Sequence, residues 1–467
     1  MKNYDIIIVG AGAAGVFMAY ELTKQNCGAK VLVIEKGAAL EERACPISRG
    51  ITEKCIRCNP CHIMNGYGGA GSLSDGKYNI TTSFGGDLHV YVGEKKAMEL
   101  MEYVDSVLCS MGGSEAVLYS TENSDLKTLA LRNDLHLLDA KVRHLGTDRN
   151  VKILSNIFDY TKNHIEFRFR TTVNTVEALP SSKEPDAQER FRVITSDGEE
   201  YSCRDLVLAM GRSGSKLGQE ICEKLNIHTE SNRVDLGLRV ELPAEIFKHI
   251  TDDVYESKLV YKTTKYGDRV RTFCMNPYGE VVSENTNGIV TVNGHSYADP
   301  ALRTENTNFA LLVANHFTEP FKDSNGYGES IARLSNMLGG GVLVQRFGDL
   351  IKGRRSNESR MKKSFTRPTL KATPGDLALV MPKRQLDDII EMIYALDKIA
   401  PGTANEDTLL YGVEVKFYNS TVEVDENLET AVKGLYMLGD GSGVTHSLSQ
   451  ASASGVHVAR RLAEKYK

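Results

Sequence analysis

The residues best equipped for chemistry crowd into one stretch, Cys45 to Asn79, CPISRGITEKCIRCNPCHIMNGYGGAGSLSDGKYN. Cys55, Cys58 and Cys61 form CxxCxxC, with Cys45 ten residues upstream and His62 directly after. Thiolates two residues apart can converge on one ion, and four soft ligands suit zinc or a [4Fe–4S] cluster. Two other accounts fit the same spacing: thiols exchanging electrons with a neighbouring cofactor, or reduced cysteines packed as small apolar groups. The fourth ligand is the weak point, because Cys45 lies off the regular spacing and His62 can take its place. Downstream, Gly66-Tyr67-Gly68-Gly69-Ala70-Gly71-Ser72 reads as a structured loop whose backbone can approach a ligand closely. For proton transfer the candidates are His446, Tyr67 and His62, an imidazole being the usual choice. Cys274, in RTFCMNP, reads first as a buried structural cysteine.

These groups need a frame, and Tyr4 to Gly37 begins it. Ile6, Ile7, Ile8 and Val9 make a short apolar run, the pattern of a buried parallel strand. Gly10-Ala11-Gly12-Ala13-Ala14-Gly15 matches GxGxxG and opens a helical run to about Gln25. A second apolar strand, Lys30 to Ile34, ends on Glu35, twenty residues after the last glycine. The glycines permit a tight turn and a close pyrophosphate, the helix start offers free N–H groups, and Glu35 stands where a ribose diol is bound. Strand, turn, helix and acid together specify a dinucleotide site. Whether FAD or NAD(P) fills it, this stretch alone does not say.

At 467 residues the chain is too long for one core, and two or three subdomains are expected. Its net charge of −5 gives no global reason to expect nucleic acid. No apolar run nears the roughly 18 residues of a membrane helix. Asp5 interrupts the apolar start early, so it does not read as a signal peptide, and a cytoplasmic protein is expected. Nine cysteines in such a chain do not describe a disulfide-stapled scaffold.

Residues 94–111 and 124–145 carry helical spacing, broken at His144 to Asp148, and 151–158 reads as a short helix. A meander follows at 165–203, delivering the chain into a second buried strand, Asp205 to Met210, that ends on Gly211. From Ser231 to about Met381 longer strands alternate with polar loops. Within that part, Lys352 to Lys371 holds eight basic residues against one acid, Glu358. This is a solvated loop or an anion contact. Residues 385–400 form an amphipathic helix stopped by Pro401-Gly402. Finally Leu435 to Leu438 leads through Gly439-Asp440 into a helix from about Val444 to Lys467, placing a carboxylate beside another helix start.

GAGAAG with Glu35, the mid-chain LVLAMGRSG, and LYMLGDGSG with SASG together resemble the glutathione-reductase-like FAD-binding fold. The resemblance implies that the first motif holds the ADP half of FAD. It implies too that Ala-x-Gly joins the FAD and substrate domains, and that the Gly-Asp carboxylate binds the ribityl or pyrophosphate end. Carried onto this chain, these roles fall on Gly10, Gly12, Gly15, Glu35, Gly211, Gly439 and Asp440, with Ala13, Ala14 and Lys36 flanking the first motif. In that fold a glycine-rich segment passes the flavin, which assigns FAD contacts to Gly68, Gly69 and Ser72. More narrowly, KCIRCNPCHIMNGYGGAGSLSDGKYN, HLGTD, VRTFCMNPYGEVV and DTLLYGVEVKFYNSTVEV resemble the poorly characterised FAD-dependent dehydrogenases of prokaryotes. That implies redox chemistry on FAD and names no substrate.

The expected fold is α/β: a Rossmann-like FAD-binding domain, with central parallel sheet and β-meander, and an inserted α+β substrate domain. The expected divisions are 1–93, 151–230 and 385–467 for the FAD domain, 94–150 for a helical insertion and 231–384 for the substrate domain. The expected activity moves a hydride or electron pair between a small organic molecule and the flavin. No second GxGxxG unit follows, so electrons arrive from transient NAD(P)H or a ferredoxin-like protein. The alternatives are a flavin and iron–sulfur (or zinc) electron-transfer reductase and, more remotely, an RNA-modifying flavoprotein using the basic 352–371 stretch.

Overall fold

The structure, a computed structural model, describes residues 1–46, 49–52, 56, 58–122, 124–180, 189–286, 288–297, 299–317, 321 and 323–467. The chain forms two compact units: Met1–Leu118, Val142–Asn232 and Tyr418–Lys467 make the first, Tyr119–Lys141 and Arg233–Phe417 the second.

In the first unit the opening strand Lys2–Val9 lies parallel between Val31–Ile34 and Glu200–Leu208. Ile6, Ile7 and Ile8 are fully buried, because a parallel strand with cover on both faces has no wet side. Glu166–Arg168 extends this sheet beyond Val31–Ile34, and Leu435–Met437 joins it in parallel beside Glu200–Leu208. The expected meander follows as antiparallel Val173–Ala178, Phe191–Thr195 and Glu200–Leu208. The result is the α/β sheet of a Rossmann-like domain.

Two helices cover it. The glycine-turn helix Ala13–Gln25 packs along the C-terminal helix Leu448–Lys465. Small residues from Ala451 to Gly455 bring the two backbones together: a Cβ on Gly455 would lie 2.1 Å from the Ala14 carbonyl oxygen. The C-terminal helix starts at Leu448 rather than Val444, because Asp440–Ser442 takes up a tight turn and Ser447 is the N-cap, accepting from Gln450 N–H.

The second unit is a mainly antiparallel sheet. Its order is Thr373–Pro374, Leu343–Arg346, Leu409–Lys416, Val234–Pro243, Asn306–Asn315, Arg269–Asn276, Leu259–Lys262 and Leu135–Leu137. Leu236, Leu238, Val240, Leu311 and Val313 share one apolar cluster with Ile389, Met392, Ile393 and Leu396 of the helix Lys383–Asp397.

Two expected boundaries are corrected. Helix Lys383–Asp397 and strand Leu409–Lys416 belong to the second unit, not to the FAD domain. The supposed helical insertion 94–150 divides: 119–141 joins the second unit, where Leu135–Leu137 pairs with Leu259–Lys262. An amphipathic pattern states that a face is buried but not against which partner, so neither assignment was readable. The short helix at 151–158 is longer, Thr147–Thr161.

The basic segment is ordered, with a helix at Glu358–Lys363. Arg354 Nε (2.8 Å), Arg360 Nε (3.1 Å) and Ser356 Oγ (2.8 Å) all donate to the fully buried Asp349 carboxylate. Part of its charge is therefore consumed inside the unit, and nothing here favours an RNA partner. Among the described residues no helix is long and apolar enough to cross a membrane.

Candidate functional site: a dinucleotide cradle closed by the two ends of the chain

Gly10 adopts φ +105°, and a Cβ on Gly15 would lie 2.0 Å from the Gly10 carbonyl oxygen, so the turn closes only with both glycines. Gly12 differs. As N-cap of the glycine-turn helix it has φ −75° and ψ −170°, open to any residue, and a Cβ there would meet nothing within 4 Å. No side chain caps this helix start and no acid lies in its first turn. Empty room before uncapped N–H groups and the positive end of a helix fits a pyrophosphate.

Glu35 is buried and works harder than expected. One carboxylate oxygen accepts from Ala11 N–H (2.9 Å), the other from Gly37 N–H (2.8 Å) and Gly66 N–H (3.0 Å). A carboxylate has about four acceptor positions, so it can still receive one ribose hydroxyl while holding the loops around it. Lys36 donates from Nζ to the Ser213 carbonyl (3.2 Å), and burial lowers its pKa. Ser213 Oγ in turn donates to Asn65 Oδ1 (2.8 Å).

Gly68 N–H donates to the Ala11 carbonyl (2.7 Å), and a Cβ on Gly69 would lie 3.0 Å from Gly12 Cα. The glycine-rich stretch therefore lies across the turn Gly10–Gly15. Ser72 is corrected: it is fully buried, donates to the Gly69 carbonyl (3.0 Å) and accepts from Arg43. It shapes the loop and has no surface to offer a ligand.

Arg43 was not anticipated. Its buried guanidinium donates to the carbonyls of His62 (3.0 Å), Ile63 (2.7 Å) and Tyr67 (2.7 Å) as well as to Ser72 Oγ. Burial pushes its pKa down to about 10, against the opposing pull of Glu35. A planar five-donor fork can satisfy several carbonyls at once, which a lysine cannot. No sequence signal distinguishes this arginine from a solvated one.

Tyr67 is also corrected. It is buried edge-on against Phe158 (5.0 Å), Phe167 (6.0 Å) and Phe169 (6.3 Å), and burial drives its pKa far up. A phenol so enclosed is core, not a proton donor to substrate. Tyr67→Phe is expected to change stability by less than about 1 kcal/mol and to leave FAD content and turnover unaltered. A tenfold loss of turnover at equal FAD content would restore the catalytic role.

The other end of the chain completes the site. Gly439 adopts φ +68°, and a Cβ there would lie 3.3 Å from that of Ala14, so the Gly-Asp turn stands at the first turn of the glycine-turn helix. The Asp440 carboxylate lies between His446 Nδ1 (3.1 Å) and Arg212 Nε (3.3 Å). The His446 side chain is 5% exposed, its ring edge-on to Tyr418 (4.7 Å) and its N–H on the Gly85 carbonyl (2.9 Å). With Nδ1 turned to the Asp440 carboxylate, Nε2 is the ring atom left to face a ligand. Gly211, like Gly12, has extended backbone (φ −84°) and open space where a Cβ would go. His446 was expected just past the Gly-Asp motif; Arg212 and Tyr418 beside it were not anticipated. Close by in sequence, the buried hydroxyls of Thr445, Ser449 and Ser452 have no partner among the described residues. Orphaned donors of this kind await water or a polar ligand.

Among its described residues the cysteine loop gathers no metal site. Cys45, Cys58 and Cys61 are partly exposed free thiols, and among the described residues no three of His, Cys, Asp and Glu gather to hold an ion. Cys55 lies outside the described residues.

Residues 234–417, nearly the whole main segment of the second unit, match the family model "FAD-dependent protein, C-terminal domain-like". Residues 8–40 match "NAD(P)-binding Rossmann-like domain". Over these two segments the chain is similar to FAD-dependent proteins and to NAD(P)-binding Rossmann-like domains. An uncharacterized protein of Clostridium beijerinckii (strain ATCC 51743 / NCIMB 8052) is 27% identical over 481 residues, covering 98% of this chain and 81% of that one. Among solved structures, glycine oxidase from Geobacillus kaustophilus aligns with TM-score 0.42 at 12% identity, over 100% of this chain and 95% of that one. PqsL of P. aeruginosa, in complex with 2-aminobenzoylacetate, aligns with TM-score 0.41 at 12% identity, over 100% and 86%.

Proposed function

We propose that this protein moves a hydride or electron pair between a small organic substrate and FAD, as a dehydrogenase. One observation carries the reading: the Gly-Asp turn and the glycine turn, more than 400 residues apart in sequence, meet at Ala14 and leave open room at Gly12 and Gly211. Gly10, Gly12, Ala13, Ala14 and Gly15 would hold the pyrophosphate and Glu35 the ribose. Gly68, Gly69, Gly211, Gly439 and Asp440 would line the rest of the cofactor. Bound FAD supplies the hydride or electron acceptor at its ring. The chain's own part is orientation and proton handling. Asp440 orients the imidazole through Nδ1, Arg212 pairs with the same carboxylate, and His446 Nε2 is the atom that exchanges a proton with the substrate. The electron partner is NAD(P)H or a ferredoxin-like protein, and the working compartment is the cytoplasm.

The test is FAD uptake by the purified chain, then anaerobic reduction with NADH, NADPH and reduced ferredoxin and reoxidation against a substrate panel. One FAD per chain and reduction by one donor are expected; a chain that takes up no FAD refutes the proposal. His446→Asn keeps a donor for Asp440 but removes the exchangeable proton. It is expected to lower turnover by about 10²–10⁴-fold with FAD content unchanged. Turnover within threefold of the wild type removes His446 from the mechanism.

A further inference from the structure

The strands Leu259–Lys262 and Arg269–Asn276 pair as a hairpin of the second unit, and its tip, residues 263–268, lies on the helix Lys383–Asp397 of the same unit. Lys383, Arg384, Asp387, Asp388 and Glu391 are spaced three or four apart, so they share one side of the helix. Most of them tie the tip down at its surface. Glu391 accepts from Thr264 N–H (2.7 Å) and Oγ1 (2.8 Å), and Asp387 accepts from Lys265 Nζ (2.7 Å) and Tyr266 Oη (3.0 Å). Arg384 forks the Asp268 carboxylate with bonds of 2.6 and 2.7 Å.

Asp388 is the exception. Its side chain is fully buried, and neither carboxyl oxygen meets a donor at hydrogen-bonding geometry among the described residues. A buried carboxylate without donors is costly, whereas a carboxylic acid asks chiefly for one acceptor. Such an acceptor stands beside it. Thr263 Oγ1 accepts from Asp268 N–H (3.0 Å) and fixes Asp268 at the end of the tip, one helical turn from where Arg384 departs. The arginine fork occupies two of the roughly four acceptor positions of the Asp268 carboxylate, leaving room for a further O–H. The strands beneath the helix offer it the apolar Leu236, Leu238, Val240, Leu311 and Val313, and Asn315 is engaged by Gln385 (2.6 Å). The polar groups acting on Asp388 are Thr263 and Asp268 from the hairpin and Arg384 from its own helix.

These surroundings push the two carboxyls apart. Hydrogen bonds from Arg384 hold Asp268 below the usual carboxylate range. Burial and the neighbouring Asp268 push the Asp388 pKa up to about 6, against the opposing pull of the Thr263 hydroxyl and Arg384. An aspartic acid in open chain ionises near about pH 4. The closed tip therefore keeps a proton that an opened, hydrated tip releases. Closure has its full support below about pH 4 and loses it as the pH rises through about 6.

We propose that Asp388 is a proton-operated latch between the hairpin tip 263–268 and the helix Lys383–Asp397. Protonated, it donates to Asp268, and the tip lies closed and dry on the helix. When the proton passes to water, two carboxylates confront each other in a place that cannot hydrate them, and the tip lifts until Asp388 is wetted. Exposed pairs such as Lys265 with Asp387 contribute little, so the buried carboxyl decides the balance. The latch is independent of the oxidoreductase reading.

The experiment follows amide hydrogen exchange of the full chain by mass spectrometry over residues 259–276, corrected for the intrinsic pH dependence of exchange. In the wild type the opening equilibrium of the tip is expected to rise about tenfold between about pH 5 and about pH 8. Asp388→Asn keeps the shape and an N–H donor for Asp268 but has no proton to lose. Its opening is expected to change less than about threefold over the same range. Its Tm is expected to exceed that of the wild type at the higher pH and to match it or fall below at the lower. Asp268→Asn removes the opposing charge, so it is expected to flatten the pH response while opening more at every pH, because Arg384 loses its partner. The proposal is overturned if the wild-type tip opens equally at both pH values. It is overturned too if wild type and Asp388→Asn differ by the same amount at both, since Asp388 would then be only a packing group. Should neither variant fold, the two wild-type measurements still decide.

Discussion

Valine at Gly12 is expected to leave the chain folded and to weaken FAD binding by about 10–100-fold. That is the ~1–3 kcal/mol that extra methyl groups cost in filled space. The contrast with Gly15 makes the point. At Gly15 a Cβ would collide with the Gly10 carbonyl oxygen at 2.0 Å, so even alanine forces helix from strand and is expected to cost about 3 kcal/mol of stability. At Gly12 the backbone is ordinary extended chain and the side-chain space is empty, so the fold itself sets no requirement for glycine there. The requirement comes from what enters the space. Thermal melting of the FAD-free Gly12→Val chain is expected to match the wild type, while fluorescence titration with FAD shows the loss. If FAD binds both with equal affinity, the pyrophosphate does not pass Gly12.

Arg43→Met is expected to be the most damaging single change outside the glycines. The methionine has similar length and keeps the apolar stem contacts, but removes donors from three carbonyls and one hydroxyl around a guanidinium that is almost wholly buried. Each acceptor left unpaired in a buried place costs about 1–3 kcal/mol, and partial relaxation brings the expected total to about 3–5 kcal/mol. The loss also reaches the cofactor. Residues 62–72 hang on this one side chain, and Gly68 and Gly69 meet the dinucleotide turn from that loop. FAD affinity is therefore expected to fall with Tm, whereas Arg43→Lys recovers part of both because an ammonium reaches fewer carbonyls at once. Chemical denaturation and FAD titration of the two variants decide this. Unchanged stability in Arg43→Met removes the clamp.

The parts of the site legible in sequence are those whose geometry is local. GxGxxG between an apolar run and a helix, Glu35 at the end of the next strand, and Gly-Asp before the last helix each encode their own backbone path. The same holds for the parallel strands, whose unbroken apolar runs admit few other settings. Residues whose role depends on distant chain were misread. Tyr67 sits in a glycine-rich loop like a functional tyrosine, yet three phenylalanines from 158–169 enclose it. Ser72 looks like a ligand contact and is consumed by Arg43, 29 residues upstream.

By itself, then, the sequence determined a Rossmann-like glycine turn near one end of the chain and a Gly-Asp turn before the last helix, because turn, helix start and spacing are properties of contiguous residues. Only the tertiary structure decided that Glu35 braces three loops, that Arg43 organises the glycine-rich stretch, and that Asp440 stands between Arg212 and His446. It also decided that helix Lys383–Asp397 serves the second unit. These are meetings between residues far apart along the chain. Burial and charge balance choose them among many surfaces of similar composition, and no periodicity records the choice.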